Sequence, residues 1–397
     1  MKPRIFINMH YMEIGGAERA LLGLLNAIDT NKVDVDLFIN QHTGEFMKLI
    51  PNKINLLPEI SAYSVIEKPI ITALKKGHIG IAFARILAKI HYTIPKRYRE
   101  TGDDYSIFNL VAKYTTPLLP SLKKYGKYDL AISFLTPHNI VKDKVWSTKK
   151  LAWIHTDYTK VSIDANAELQ VWNSFDNIVS ISKDVTNTFT QVFSTLKSKI
   201  IEFENILSPT FIRQQAKLDN PVEIQGNFIK ICSIGRFCYQ KNFESIPVVA
   251  KILKEKGLNF KWYIIGFGDP AETIENIQLT NTKDCLILLG KKENPYPYIS
   301  NCEIYVQPSR YEGKSVTVRE AQILCKPVII TNYPTASSQV KNGVDGIICE
   351  MDNDSIANAI FNLVQDKDKQ TKIEQYLSSH DYGNENEITK IYQLINE

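Results

Sequence analysis

The stretch CEIYVQPSRYEGKSVTVREAQILCKPVIITN, Cys302 to Asn332, constrains the fold more than any other part of this chain. Two short apolar runs, Ile304 to Gln307 and Val328 to Thr331, flank a polar turn and a helical segment opening near Ser315. Strands joined through a helix rather than a tight turn lie parallel in one sheet, so this is one β-loop-α-β step of an open α/β sheet. Glu312 lies in the turn and Glu320 about one and a half turns into the helix. Gly313, Lys314, Ser315 and Val316 supply backbone N–H groups at the helix start. Such an arrangement suits a ligand that is both anionic and hydroxylated.

With 397 residues the chain is too long for one ordinary core, and two domains of roughly 150–200 residues are expected. The formal net charge of +4 is small for this length and calls for no nucleic-acid partner. All six cysteines fall in the second half, without a CxxC pair or a histidine at zinc-site spacing, which fits a reduced protein with ordinary thiols. MKPRIFINMH runs directly into a strand and lacks the apolar region of a secretory signal, and no uncharged apolar run approaches the roughly 18 residues of a spanning helix. A cytoplasmic protein outside the bilayer core is the expectation.

In chain order, a strand over Arg4 to Met9 precedes Gly15-Gly16 and a helix from about Ala17, a geometry in which backbone approaches a ligand closely. Gly-x-Gly-x-x-Gly is absent, which argues against a dinucleotide site, and an ordinary loop glycine pair accounts for Gly15-Gly16 equally well. The stretch 68–100 carries eight Lys/Arg against one Glu, with Ile79, Phe83, Ile86 and Ile90 in a helical stripe and Arg85 and Lys89 on the far side. It reads either as a basic amphipathic helix for an anionic membrane surface or as a core-facing helix with a solvated back. Lys150 to Ile154 is a strand ending in His155 and Asp157, which places a histidine where α/β ligands bind, although a structurally hydrogen-bonded histidine is also common there.

A polar, poorly periodic segment between about Asn205 and Asn227 reads as the domain boundary. After it, Phe228 to Gly235 is the first strand of a second sheet, followed by Arg236 and Lys241 around a strand-to-helix turn. Phe260 to Ile265 ends in Gly266-Phe267-Gly268. Two cations beside backbone donors can neutralise a diphosphate as its charge grows on leaving.

Glu312 and Glu320 at a seven-residue interval, Gly235-Arg236 with Lys241-Asn242, Gly266 and Gly268, and Gly15-Gly16-Ala17-Glu18-Arg19 together resemble the group 1 (family four) retaining glycosyltransferases of the GT-B fold, over nearly the whole chain. The resemblance implies two Rossmann-like parallel-sheet domains facing across a cleft. Residues 1–205 would bind the acceptor and 206–380 the nucleotide-sugar, with a helix at 381–397 returning to the first domain. It implies that Arg236 and Lys241 hold the donor diphosphate, aided by backbone at Lys314 to Val316. Glu320 would take the ribose hydroxyls, Glu312 those of the transferred sugar, and Gly16 would let the first loop approach the phosphates. His155 looks like the active-site histidine of the family, and Asp157 is the fallback base or nucleophile.

Gly-Lys-Ser-Val after Glu312 replaces the more apolar run of many members, and Thr317-x-x-Glu320 also fits a capping box. With no Asp-x-Asp beside a strand end to hold a metal against the diphosphate, metal-independent transfer without a cofactor is expected; the resemblance suggests retention through front-face attack, the leaving phosphate taking the acceptor's proton. The reading is a hexosyltransferase moving a sugar from a nucleotide-sugar, UDP favoured, to a glycan or lipid-linked oligosaccharide in surface polysaccharide biosynthesis. It would be peripheral on the inner face of the plasma membrane. A nucleotide-sugar epimerase and a non-catalytic sugar-binding subunit are the alternatives.

Overall fold

The computed structural model describes residues 2–93, 103–104, 106–155, 158, 161–218, 221–312 and 315–396. Gly313, Lys314, Asp157 and the basic residues Lys96, Arg97 and Arg99 lie outside the described residues. The chain divides into two compact units, one of residues 1–206 with 385–397 and the other of 207–384.

In the first unit the strands are β1 (Arg4–Met9), β2 (Asp34–Ile39), β3 (Asn55–Leu56), β4 (Asp103–Asp104), β5 (Tyr128–Ser133), β6 (Ser147–Ile154), β7 (Val161–Ser162), β8 (Asn177–Ser180) and β9 (Ile200–Glu202). Among the described residues, seven of them form one parallel sheet in the order β3-β2-β1-β5-β6-β8-β9, and β4 pairs with β7. The register sets Asn8 beside Ser133 and Ser133 beside Ala152, so the ends of β1, β5 and β6 share one edge. The central strands are apolar because helices cover both faces. Trp172, Phe175, Phe189 and Phe193 pack with Tyr158 in an aromatic cluster of edge-to-face pairs, Trp172 and Phe189 having centroids 5.0 Å apart.

In the second unit β10 (Ile229–Phe237), β11 (Phe260–Gly268), β12 (Leu286–Gly290), β13 (Ile304–Gln307), β14 (Val328–Thr331) and β15 (Ile347–Cys349) form a parallel sheet in the order β12-β11-β10-β13-β14-β15. Order reverses between β10 and β13, where doubly wound sheets open a crevice at the carboxyl ends of the strands. Two buried polar groups of this core pair with each other and with the backbone. Trp262 Nε1 donates to Ser233 Oγ at 2.9 Å, and that hydroxyl donates to the Val306 carbonyl at 2.6 Å.

Two elements differ from the sequence-based expectation. The polar segment after Asn205 contains a helix, Pro209–Gln215, capped by Ser208 and burying Phe211 and Ile212. Its apolar residues are too few to show a period, yet tertiary burial stabilises it. The second difference concerns the helix Ile79–Thr93, which buries Ile81, Ala82, Ala84 and Ala88 instead of the stripe read from sequence. Ile79, Phe83, Ile86 and Ile90 are 69%, 60%, 41% and 55% exposed, so the core-facing reading of that stripe fails. Arg85 turns inward, donating to the carbonyls of Val65, at 3.2 Å, and Lys68. Three alanines on the buried side let the helix pack closely against Ser106–Thr115.

Candidate functional site

The carboxyl ends of β10, β11 and β13 gather the charged residues of the second unit. Arg236 is exposed, pairs in register with Phe267 and holds its guanidinium 5.6 Å from the Phe267 ring centroid. The Lys291 ammonium stands 5.9 Å from the same ring. Strands β10 and β11 approach so closely here that a Cβ on Gly266 would lie 2.1 Å from the Gly235 carbonyl oxygen. Gly268 adopts φ +105°, a conformation that an L side chain strains to reach. Glycine at both positions therefore follows from geometry.

Glu312 and Lys241, which the sequence assigned to sugar and diphosphate, meet each other. Lys241 Nζ stands 2.5 Å from Glu312 Oε1, and Ser309 Oγ donates to the same oxygen at 2.6 Å. Only 6% of the Glu312 side chain and 17% of the Lys241 side chain are exposed. Thr335 Oγ1 fixes the backbone by donating to the Glu312 carbonyl at 2.8 Å. A carboxylate so held retains Oε2, contacted at 3.4 Å by Gln240 Nε2, as its most loosely engaged acceptor. Among the described residues, Arg236 is thus the member of this group, as named from sequence, whose cation faces solvent.

Glu320 is 1% exposed and accepts a hydrogen bond from Tyr296 Oη at 2.8 Å. The capping-box alternative does not form as drawn from sequence. The helix is Val316–Ile323 with Ser315 at its N-cap, and Thr317 Oγ1 donates instead to Gln307 Oε1 at 3.2 Å. Ser315 is buried and doubly bonded to Gln339, its N–H donating to Oε1 at 3.0 Å and its carbonyl accepting from Nε2 at 2.6 Å. Its N–H is therefore already used, whereas Val316 is 38% exposed at the helix start. Sequence reasoning missed Tyr296, Ser309, Thr335 and Gln339. Single hydroxyls and amides on separate loops leave no spacing signal.

In the first unit Gly15 is the N-cap of the helix Gly16–Ala27. A Cβ on Gly16 would meet nothing within 4 Å, so its missing side chain leaves exposed backbone open to a ligand. His155 follows β6 with its ring stacked on Trp153 at 7° between planes and 4.9 Å from the Phe134 ring centroid. Burial pushes its imidazole down to about 4, against a hydrogen bond to Phe134 backbone that raises it, so the ring is neutral near pH 7. His155 Nε2 is buried and unpartnered. His10 and His138, at the same sheet edge, were not singled out from sequence because lone histidines carry no pattern.

A groove of about 510 Å³ elsewhere on the second unit is lined by Tyr239, Asn242, Ser245, Arg310, Met351, Asp352 and Asn353. Its arginine is paired with Glu244 at 2.5 Å. Of the residues named from sequence, Asn242 lines it, whereas Arg236, Lys241, Glu312 and Glu320 do not.

Residues 214–379 match the family described as glycosyl transferases, group 1. An uncharacterized glycosyltransferase of Haemophilus influenzae is 22% identical over 96% of this chain and 97% of its own length. The UDP-Gal:alpha-D-GlcNAc-diphosphoundecaprenol alpha-1,3-galactosyltransferase of Escherichia coli is 30% identical over 36% of this chain and 38% of its own. A mutant of TarM from S. aureus, solved with fondaparinux, alpha-GlcNAc-glycerol and UDP, superposes with a TM-score of 0.64 over all of both chains at 12% identity. Residues 214–379, which hold the whole second sheet, thus match the group 1 glycosyltransferases, and the two parallel sheets have the connectivity of the GT-B fold.

Proposed function

We propose that this protein transfers a hexose, with retention of configuration and without a metal, from a UDP-sugar to a lipid-linked glycan in surface polysaccharide assembly. The second unit binds the donor and the first the acceptor. The observation that carries this reading is the solvent-facing Arg236 beside the buried Lys241–Glu312 pair, all at the strand ends of the unit that matches the family. A diphosphate placed there meets a guanidinium able to bind two oxygens at once, and a nearby ammonium. Charge that grows on the departing phosphate is stabilised by those cations and by the helix start at Val316. The Glu312 carboxylate, locked by Lys241 and Ser309, offers a fixed acceptor to sugar hydroxyls, and Glu320 opens from Tyr296 to the ribose. UDP is favoured because TarM was solved with UDP and the E. coli relative is named for a UDP-sugar.

The lipid-linked acceptor is supported by that relative, which is named for a diphosphoundecaprenol substrate, and by the apolar face of the helix Ile79–Thr93. Ile71, Leu74, Phe108 and Leu118 extend this exposed face across neighbouring helices, and Lys75, Lys76, Lys89 and Lys113 are exposed among them. Apolar side chains ringed by lysines suit the interface of an anionic bilayer, which supports a seat for the enzyme on the inner face of the membrane.

A thermal-shift panel of UDP-, GDP-, ADP- and CMP-sugars tests the donor assignment. UDP-sugars should raise Tm, and Arg236→Ala should abolish the shift without lowering Tm in buffer. An Arg236→Ala variant that binds as the parent does would defeat the phosphate assignment.

A further inference from the structure

The groove of about 510 Å³ beside Tyr239 and Arg310 is built wholly from the second unit, and its volume falls in the range of small-ligand pockets, roughly 300–1,000 Å³. Three loops form it. The one after β10 brings Tyr239, Asn242 and Ser245, the one after β13 brings Arg310, and the one after β15 brings Met351 and Asp352. Tyr239 is 71% exposed and Met351 38%, so the groove has apolar walls. The Arg310 guanidinium carbon lies 4.1 Å from the Tyr239 ring centroid and braces the ring from one side. Arg310 is itself held, because Nη1 donates to the Tyr239 carbonyl at 2.6 Å and to Glu244 Oε1 at 2.5 Å. An exposed ring braced by a fixed cation is a rigid platform.

Between these walls stand acceptors. Asn242 is 5% exposed, its Nδ2 donates to the Pro308 carbonyl at 3.1 Å, and its Oδ1 is buried without a partner. Buried polar atoms are almost always paired, and the exceptions point to a missing partner. Asp352 caps the helix Asn353–Gln365 by accepting the Ser355 N–H at 2.8 Å. That bond holds its carboxyl below the usual carboxylate range, so the group is ionised and keeps further acceptor positions. Ser245 Oγ donates to the Asn242 carbonyl at 2.8 Å, which leaves the hydroxyl oxygen able to accept.

Charge narrows the ligand class. One guanidinium stands against two carboxylates, Glu244 and Asp352, and the positive end of the helix Asn353–Gln365 is already answered by Asp352. A phosphate would meet net repulsion there, and a cation would meet Arg310. A neutral molecule with hydroxyl donors around a face of C–H bonds fits, and that is the surface of a sugar ring. We propose that this groove binds a neutral saccharide, its C–H face on Tyr239 and its hydroxyls toward Asn242 and Asp352, as a carbohydrate seat separate from the donor residues. The seat goes beyond the transfer reading and does not depend on it. A glycan held there stays with the protein whether or not the donor residues are occupied.

Saturation-transfer difference NMR on the full chain tests the seat, with maltose, lactose and N,N′-diacetylchitobiose as separate probes. At least one should give ring-proton signals that inorganic phosphate does not displace. Tyr239→Ala should raise the Kd of that saccharide about tenfold or more while keeping the UDP-sugar thermal shift, and Tyr239→Trp should restore binding. Should Tyr239→Ala not fold, Asp352→Asn, which can still cap the helix, carries the same test with an expected loss of about threefold or more. Arg236→Ala should keep the saccharide Kd within about twofold even where it loses the UDP-sugar, so the seat and the donor assignment fail separately. Absence of signal from every disaccharide, a parent-like Kd in the folded groove variant, or displacement by phosphate would each overturn the proposal.

Discussion

Lys241 and Glu312 are 71 positions apart, and their meeting depends on β10 and β13 being neighbours in the sheet. Their residue types were legible from the sequence and their partnership was not, because spacing within a segment carries no information about which strands adjoin. The pair makes a stability prediction separable from catalysis. Lys241→Ala leaves a 6%-exposed carboxylate with only hydroxyl and amide partners, and should destabilise by about 3 kcal/mol in urea unfolding. Arg236→Ala, at an exposed site, should leave the unfolding midpoint within about 0.5 kcal/mol of the parent. Gly266→Ala should also be strongly destabilising, since its new methyl meets the Gly235 carbonyl at 2.1 Å and neither backbone can move freely. His155 supplies a pH signature. Its folded value is depressed to about 4 from 6.5, so below 6.5 the unfolded chain binds a proton that the folded chain refuses. The contribution of His155 is complete above pH 6.5 and is lost as pH falls toward 4. His155→Gln should flatten the dependence of Tm on pH across that window.

At the scale of elements, β1, β13 and β14 have the bounds expected from their apolar runs, because a buried parallel strand is a continuous run closed by turn residues. The short β9 and β15, and the β4–β7 pair, escaped notice because two or three residues do not establish a pattern. The helix Ile79–Thr93 shows a different limit. Periodicity revealed a large-residue stripe and an opposite face, but which of the two packs inward was decided by alanines that a hydrophobicity pattern undervalues. This outcome has a direct test. Phe83→Glu with Ile86→Glu should fold as the parent does, because both side chains are exposed. The same pair should cut flotation with anionic vesicles by about tenfold or more, each lost apolar insertion being worth about 1.5–3 kcal/mol. Parent-like flotation would remove the membrane face. Raising salt should weaken binding through the lysines alone and leave a salt-resistant part.

For the whole molecule, the α/β class, the presence of two sheets and the family were all carried by glycine-ended strands and by a handful of charged residues in the second half. Donor base, sugar and linkage were not legible, since they depend on side chains brought together from loops with no shared spacing. The two units also differ in how the chain builds them. Residues 207–384 are contiguous, whereas the first unit takes its last piece from 385–397. Produced alone, 207–384 should fold with one cooperative transition and retain the UDP-sugar thermal shift, and failure to bind would show that the first unit supplies indispensable donor contacts.

The closing helix Thr389–Asn396 buries Ile391 and Leu394 in the first unit, where Tyr392 Oη accepts the Asp29 N–H at 2.8 Å and Lys149 Nζ donates to the Leu394 carbonyl at 3.0 Å. During synthesis on a ribosome, residues 1–206 must therefore wait for the whole of the second unit to emerge before their own core is finished. The last-made unit is the first to be complete, and a stop codon a dozen residues early injures the part of the enzyme that was translated first.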